Sequence, residues 1–170
     1  NPGSGLGDFS YGYDSFGNTN KITLPNGVVA NRGFDETGLN TSLNYVAGDG
    51  TPIAGFSATR DVKGRVVKRS GPAASEEFDF DKLGRLTKSV ADWGWFGCHI
   101  RTYGFNASSD RTSFNYYEPT NGACQTQTPK TTRNLTYDTA RRPTSNGYDY
   151  DNLGRTRAVP ATDTTADPNT

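Results

Sequence analysis

Tyr148-Asp149-Tyr150-Asp151-Asn152-Leu153-Gly154-Arg155 decides how this sequence is read, because its order of residue types returns along the chain. The fullest second copy is Phe78-Asp79-Phe80-Asp81-Lys82-Leu83-Gly84-Arg85. Others run Tyr11-Gly12-Tyr13-Asp14-Ser15-Phe16-Gly17-Asn18, Arg32-Gly33-Phe34-Asp35-Glu36-Thr37-Gly38-Leu39 and Arg60-Asp61-Val62-Lys63-Gly64-Arg65. Tyr103-Gly104-Phe105-Asn106 and Leu135-Thr136-Tyr137-Asp138-Thr139-Ala140-Arg141-Arg142 bring the number to seven. Counted from the Asp or Asn anchor, the steps are 21, 26, 20, 25, 32 and 13 residues. Recurrence of this size marks a repeat architecture, in which each unit buries its apolar side against its neighbours.

Each copy has a local physical reading. Asp at the first position of a four-residue turn accepts a hydrogen bond from the backbone two residues on, and Gly at the fourth takes positive φ without steric cost. Before the Asp, rings stand at alternate positions (Tyr11 and Tyr13, Phe78 and Phe80, Tyr103 and Phe105, Tyr148 and Tyr150), so they share one face of a strand. After the Gly come return-strand residues such as Arg65-Val66-Val67 and Arg85-Leu86-Thr87. The unit is strand, tight turn, strand. No window longer than ten residues keeps a helical period free of Gly, Pro or β-formers. The chain therefore reads as all-β, with consecutive antiparallel hairpins laid side by side in one twisted sheet.

Composition agrees and excludes several classes. Leu, Val, Ile and Phe make up only 28 of 170 residues, but nine Tyr and nine Phe replace the missing aliphatic bulk, which predicts a thin, aromatic core. No apolar run approaches the roughly 20 residues that span a bilayer. No charged-then-apolar start resembles an export signal, although such signals are removed on maturation and location stays open. A net charge of zero without a Lys/Arg block argues against nucleic acid as a partner. Two cysteines are too few for a disulfide scaffold or a four-thiolate zinc site.

The aromatic-x-Tyr-Asp-x-x-Gly-Arg signature, over roughly residues 9–159, resembles the tyrosine-aspartate repeat of Rhs-type proteins. That group includes bacterial wall-associated and toxin-carrying proteins and the animal teneurins. The copies depart from the pattern in places. Thr59 and Arg60 replace the ring in the third, the fifth reads Asn106-Ala107-Ser108-Ser109-Asp110 without Gly, and the sixth has Arg141 where Gly is expected. The resemblance implies hairpins that wind as a spiral sheet and close into a hollow shell, which in the toxin systems encloses a C-terminal toxic segment. It implies that these residues form part of a wall within a longer parent chain. A self-cleaving aspartyl-protease segment, a further feature of the group, has no counterpart, since Ala166-Asp167-Pro168-Asn169 is too short to count.

The chemical constellations mostly read as structure. The turn pairs (Asp14, Asp35, Asp61, Asp81 and Asp151 with Gly17, Gly38, Gly64, Gly84 and Gly154, and Arg65, Arg85 and Arg155 beyond) fit turn formation and solvated ion pairs better than a ligand surface. Glu76, Glu77, Asp79 and Asp81 alternate with Phe78 and Phe80 as an ordinary strand does, without a calcium-loop pattern. His99 is the only histidine, and its neighbour Cys98 points to the other face of a strand, which argues against a thiol dyad. Cys98 and Cys124, 26 residues apart around the fifth copy, are expected to form a disulfide that pins a turn-rich excursion. Trp93 and Trp95, at alternate positions, are expected on one side, with Tyr116 and Tyr117 near them, either as core or as a sugar-stacking platform. Three glycosylation sequons, at Asn40, Asn106 and Asn134, carry no weight in a chain this rich in Asn, Ser and Thr.

Residues 1–8 read as a linker, 9–159 as the repeat module and 160–170 as a frayed tail or linker. The expectation is a non-catalytic structural module with no cofactor and no metal, part of a secreted or cell-surface shell. Its partners would be the rest of a longer parent chain or that chain's cargo segment. The alternative is a carbohydrate-binding or adhesin-like β-domain that meets a cell-surface glycan through Trp93, Trp95, Tyr116 and Tyr117.

Overall fold

The computed structural model describes residues 7–145 and 147–160. The proposed linker and tail thus lie largely outside the described residues. Eleven strands form one antiparallel sheet in chain order. They are β1 (Ser10–Tyr13), β2 (Thr19–Thr23), β3 (Val29–Phe34), β4 (Asn40–Val46), β5 (Pro52–Arg60) and β6 (Val66–Ser70), then β7 (Ser75–Phe80), β8 (Leu86–Asp92), β9 (Cys98–Phe105), β10 (Arg111–Tyr117) and β11 (Thr131–Asn134). β12 (Asp149–Tyr150) and β13 (Thr156–Ala158) form a separate two-stranded ribbon. One sheet running through all seven copies is therefore not what forms. Between Arg142 and Tyr148 the chain is too short, and Pro143 too poor a ladder donor, for both a return strand and a new one. The sixth turn is instead closed by a single bridge, Tyr137 to Pro143.

The turns of the first five copies lie along one edge of the sheet. Return turns at 24–28, 47–51, 71–74 and 93–97, and a longer excursion at 118–130, lie along the other. Two return turns invert the chemistry of the acidic ones. Asn26 and Asp49 sit third, just before Gly27 and Gly50, and their Oδ1 atoms accept the amides of Val28 at 3.1 Å and Thr51 at 2.9 Å.

The two faces differ in kind. Directly opposite residues of an antiparallel ladder share a face, so Tyr11, Ile22, Ala30, Tyr45 and Ala54 lie in one row across β1–β5. Phe78, Ser89, Arg101 and Tyr116 lie in another row on that same face, across β7–β10. This is the ring face. The reverse carries Ser42, Ser57 and Ser70 in a row, and Thr102, Asn115 and Thr132 in another. Ser57 and Ser70 hydroxyls meet at 2.7 Å, Asn115 Nδ2 donates to Thr102 Oγ1 at 3.2 Å, and Thr132 Oγ1 donates to Asn115 Oδ1 at 2.9 Å.

The core is thin as expected but it is not aromatic. Among the described residues only Ala30, Ala91, Cys98 and Ile100 are buried hydrophobics. A single-layer sheet shields its rings only from the sides, so Phe78, Phe80, Tyr103 and Phe105 stay half-buried and Tyr11 and Tyr13, on the first strand, are exposed.

Candidate functional site

The feature that recurs with fixed geometry is the acidic turn and the junction it makes with the next copy. In the fourth copy Asp81 Oδ1 accepts the amides of Leu83 at 2.9 Å and Arg85 at 3.0 Å, while Arg85 Nε donates to Oδ2 at 2.6 Å. The Gly84 amide closes the turn on the Asp81 carbonyl at 3.0 Å, with φ +84° at the glycine. Asp61 with Arg65, Asp138 with Arg142 and Asp151 with Arg155 repeat this clamp. Asn18 Nδ2 takes the same role toward Asp14 at 3.0 Å. These bonds favour the carboxylate and hold its pKa below the ordinary value. At Asp81 the Arg85 amide contributes most, at Asp61 the Arg65 side chain, and at Asp14 the Asn18 side chain.

The same arginine reaches forward. Arg65 Cζ stands 4.5 Å from the ring centroid of Phe80, Arg85 Cζ 4.8 Å from Phe105, and Arg142 Cζ 5.0 Å from Tyr150. Each ring is the residue just before the next anchor, so the cation of one copy lies over the aromatic of the following one. The arginine also covers the next turn glycine. A Cβ at Gly84 would stand 3.3 Å from Arg65 Nη1, and one at Gly154 only 2.8 Å from Arg142 Nη1. Glycine at that position thus answers two demands, positive φ and a close neighbour.

The register of the junctions is constant. The residue seven after one anchor opposes the residue four before the next: Lys21 and Asn31, Ser42 and Ser57, Lys68 and Glu77, Lys88 and Thr102, Ser113 and Asn134. Within each hairpin the residue before the anchor opposes the fifth after it, and the residue two before opposes the seventh. The sixth is left as a bulge, at Asn20, Thr41, Val67, Thr87, Thr112 and Arg157. A bulge increases the local twist and bends its strand. Variation in repeat length is absorbed at the return edge.

The departures keep the geometry by other means. Ser109 and Arg141 adopt φ of +67° and +62° where glycine is missing, and both turns close. Ser109 Oγ accepts from Arg85 Nη1 at 3.2 Å, beside the Asn106 carbonyl at 2.9 Å. Arg141 Nε donates to Asp110 at 2.8 Å, which ties the sixth turn to the fifth. At the junction between the second and third copies the partners are exchanged. Leu39 stands where arginine is expected, its Cδ1 3.8 Å from a Cβ position on Gly64, and Arg60 replaces the ring and donates to the Asn40 carbonyl at 3.2 Å.

The remaining candidates resolve as follows. Cys98, 2 % exposed at the start of β9, is bonded to Cys124 in the excursion, with Cα atoms 4.8 Å apart. Trp93 and Trp95 do not share a strand face, because 94–96 form a 3-10 turn, and Trp95 is fully exposed at its tip. Trp93 packs on His99 at 4.8 Å between centroids, and His99 stacks on Tyr116 at 5.9 Å while its Nδ1 shares a 2.7 Å hydrogen bond with the Tyr116 hydroxyl. Tyr117 lies opposite Ile100 on the reverse face, so the four aromatics do not converge. Glu76 pairs with Arg69 on the ring face, and Glu77 with Lys68 at 2.6 Å on the reverse. Among the described residues no cluster of three metal-ligating side chains occurs.

No family model and no curated protein matches the sequence. Solved structures do. The crystal structure of TcdB2-TccC3 superposes with a TM-score of 0.58 at 13 % identity, over 86 % of this chain and 10 % of that one. The crystal structure of TcdB2-TccC3-Cdc42 gives 0.57 at 14 %, over 86 % and 10 %. The Tc holotoxin pore of Photorhabdus luminescens gives 0.53 at 13 %, over 86 % and 11 %. The chain thus shares its fold, consecutive antiparallel hairpins laid side by side in one sheet, with the matched segments of these complexes. The chain spans about a tenth of the length of the toxin chains it matches. The sequence signals of the two inverted return turns are the pairs Asn26-Gly27 and Asp49-Gly50.

Proposed function

We propose that this chain is one stretch of a wall, a non-catalytic structural module that encloses or presents a C-terminal toxin segment of a longer parent protein. The observation that carries this reading is the constant junction, five times in the same register, between hairpins that carry a bulge at the sixth residue after the anchor. A bend repeated at one position in every unit adds up along the array, which is what a curved wall requires. The disulfide between buried Cys98 and exposed Cys124 supports a secreted or cell-surface location, since such bonds persist in oxidising compartments. The repeated Asp and Arg residues are held by each other and by the neighbouring copy, which fits structure and leaves no poised acid, base or nucleophile among them.

The test uses the natural parent chain. Electron microscopy should place this sheet as an arc of a hollow wall. A protease should spare the enclosed segment until the wall unfolds. A solid particle, or cleavage of that segment at the rate of free peptide, would overturn the reading. A second reading, glycan binding, draws on the exposed Trp95 beside exposed Phe96. Glycan-array binding lost in Trp95→Ala with folding intact would establish it.

A further inference from the structure

A net charge of zero conceals two faces of unlike make-up. Along β1–β11 the ring face carries Arg32, Arg60, Arg69, Arg101, Arg111 and Arg133, with Glu76 its one carboxylate among the described strand residues. The reverse sets Lys21, Lys68 and Lys88 against Glu77, Asp79 and Asp92. Arg69 is answered by Glu76, and Arg60 by the Asn40 carbonyl. The side chains of Arg101 and Arg111 meet no carboxylate and no hydrogen-bond acceptor among the described residues. The carboxylates that flank β10 are held elsewhere, Asp110 by Arg141 and Asn106, Glu118 by Lys130.

We propose that the ring face of β9 and β10 docks an extended acidic segment of a partner protein, one that presents carboxylates four residues apart with an apolar side chain midway. The register supplies the spacing. Arg101 lies opposite Tyr116, Tyr103 opposite Phe114 and Phe105 opposite Arg111, so two cations flank a shelf of rings on one face. From Arg101 to Phe105 is about 13 Å of extended strand. Tyr103 and Phe114, with centroids 5.6 Å apart, fill the middle. In an extended ligand the residues at i, i+2 and i+4 point the same way, so carboxylate, apolar group and carboxylate meet cation, rings and cation in turn.

The side-chain chemistry selects a carboxylate. Arg101 Cζ rests 5.4 Å from the Tyr116 centroid and Arg111 Cζ 5.9 Å from that of Phe114. A guanidinium stacked on a ring still offers its N–H edge, a fork that a carboxylate fills with two parallel bonds. The same stacking covers the rings, and Tyr116 also carries His99 at 5.9 Å. Bases and sugars, which bind by lying on bare aromatic faces, find little purchase here. The half-wet rings gain from further burial under an apolar side chain. The Cys98–Cys124 bond pins the start of β9, so the platform is ordered before a ligand arrives. The docking depends on this face alone, whatever the wall encloses.

Fluorescence anisotropy reads the outcome with a labelled heptapeptide that has glutamate at its second and sixth residues and phenylalanine at its fourth. It should bind the chain, and the version with glutamine for both glutamates should not, a comparison that needs no altered protein. Moving one glutamate to the fifth residue turns it to the opposite side and should lower affinity about tenfold. Arg101→Ala and Arg111→Ala should each do the same, since each removes one charge-assisted contact. Lys88→Ala, on the reverse face, should leave affinity unchanged. Circular dichroism on each variant separates lost contact from lost fold. Failure of the first peptide to bind, equal binding of the glutamine or shifted peptide, an effect of Lys88→Ala as large as that of Arg101→Ala, or tighter binding of oligothymidylate or hyaluronate than of the peptide would overturn the proposal.

Discussion

The first two junctions and the next two are built on one register but held together differently. At the first, Asn18 ends the turn and no arginine among the described residues lies over Phe34; at the second, Leu39 and Arg60 exchange the usual roles. At the third and fourth, Arg65 and Arg85 each bind their own Asp and lie over the next ring, and beyond them Cys98 and Cys124 add a covalent tie. The shared register without the shared contacts teaches that backbone geometry of turn and bulge sets the pairing, while the side chains set how strongly one copy feels the next. Amides of β2 and β3 are therefore expected to exchange faster than those of β7–β9.

Acid should erase the contrast altogether, because both regions depend on turn carboxylates. The pKa values of Asp14, Asp35, Asp61, Asp81, Asp138 and Asp151 all lie below the ordinary 3.8. A group depressed on folding contributes stability that is complete above its unfolded pKa and lost as pH falls through its folded one. Urea midpoints should hold steady from pH 7 to about 5 and drop steeply below about 4. A flat profile to pH 2 would contradict the clamps.

Removing the covalent tie comes next. Cys98→Ser with Cys124→Ser should cost about 3.5 kcal/mol on the loop-entropy scale, read as a lowered urea midpoint. The loss should be concentrated in protection of β9–β11. Arg85→Ala follows, at about 2 kcal/mol, since it removes a cation–π contact and part-buried hydrogen bonds to Asp81 and Asn106 together. Asn18→Ala at the equivalent position should cost less than half as much in the same assay.

The exchanged junction offers a sharper comparison. Leu39→Arg sets two cations side by side against Arg60 and should lose about 1 kcal/mol, whereas adding Arg60→Phe should restore it by converting the second junction to the type of the third. Smallest is Ser109→Gly, which relieves left-handed backbone strain but gives up the long, exposed hydrogen bond from Arg85, and should gain about 0.5 kcal/mol in thermal melts. Arg141→Gly should show no such gain, because Arg141 also binds Asp110 and the Ser108 carbonyl.

Much of this was legible in the sequence for local reasons. Asp-x-x-Gly reports a turn through its own backbone chemistry, alternate rings report a shared face, and Cys98 and Cys124 were the only pair available. What escaped depends on neighbours far along the chain. That Arg65 serves Phe80, or that Leu39 and Arg60 trade places, is visible only once the register is known. Trp93-Gly94-Trp95 misled because alternation means a shared face only in an extended strand, and Gly94 lets the chain coil at φ +59°. The half-wet rings were missed because composition predicts what wants burial, not whether a second layer exists to provide it.

Because Gly64, Gly84 and Gly154 each lie against a side chain from the copy before, that part of the array has a direction. A fault in one copy uncovers its successor's glycine and ring but leaves its predecessor's untouched, so damage travels toward the C-terminus more readily than back.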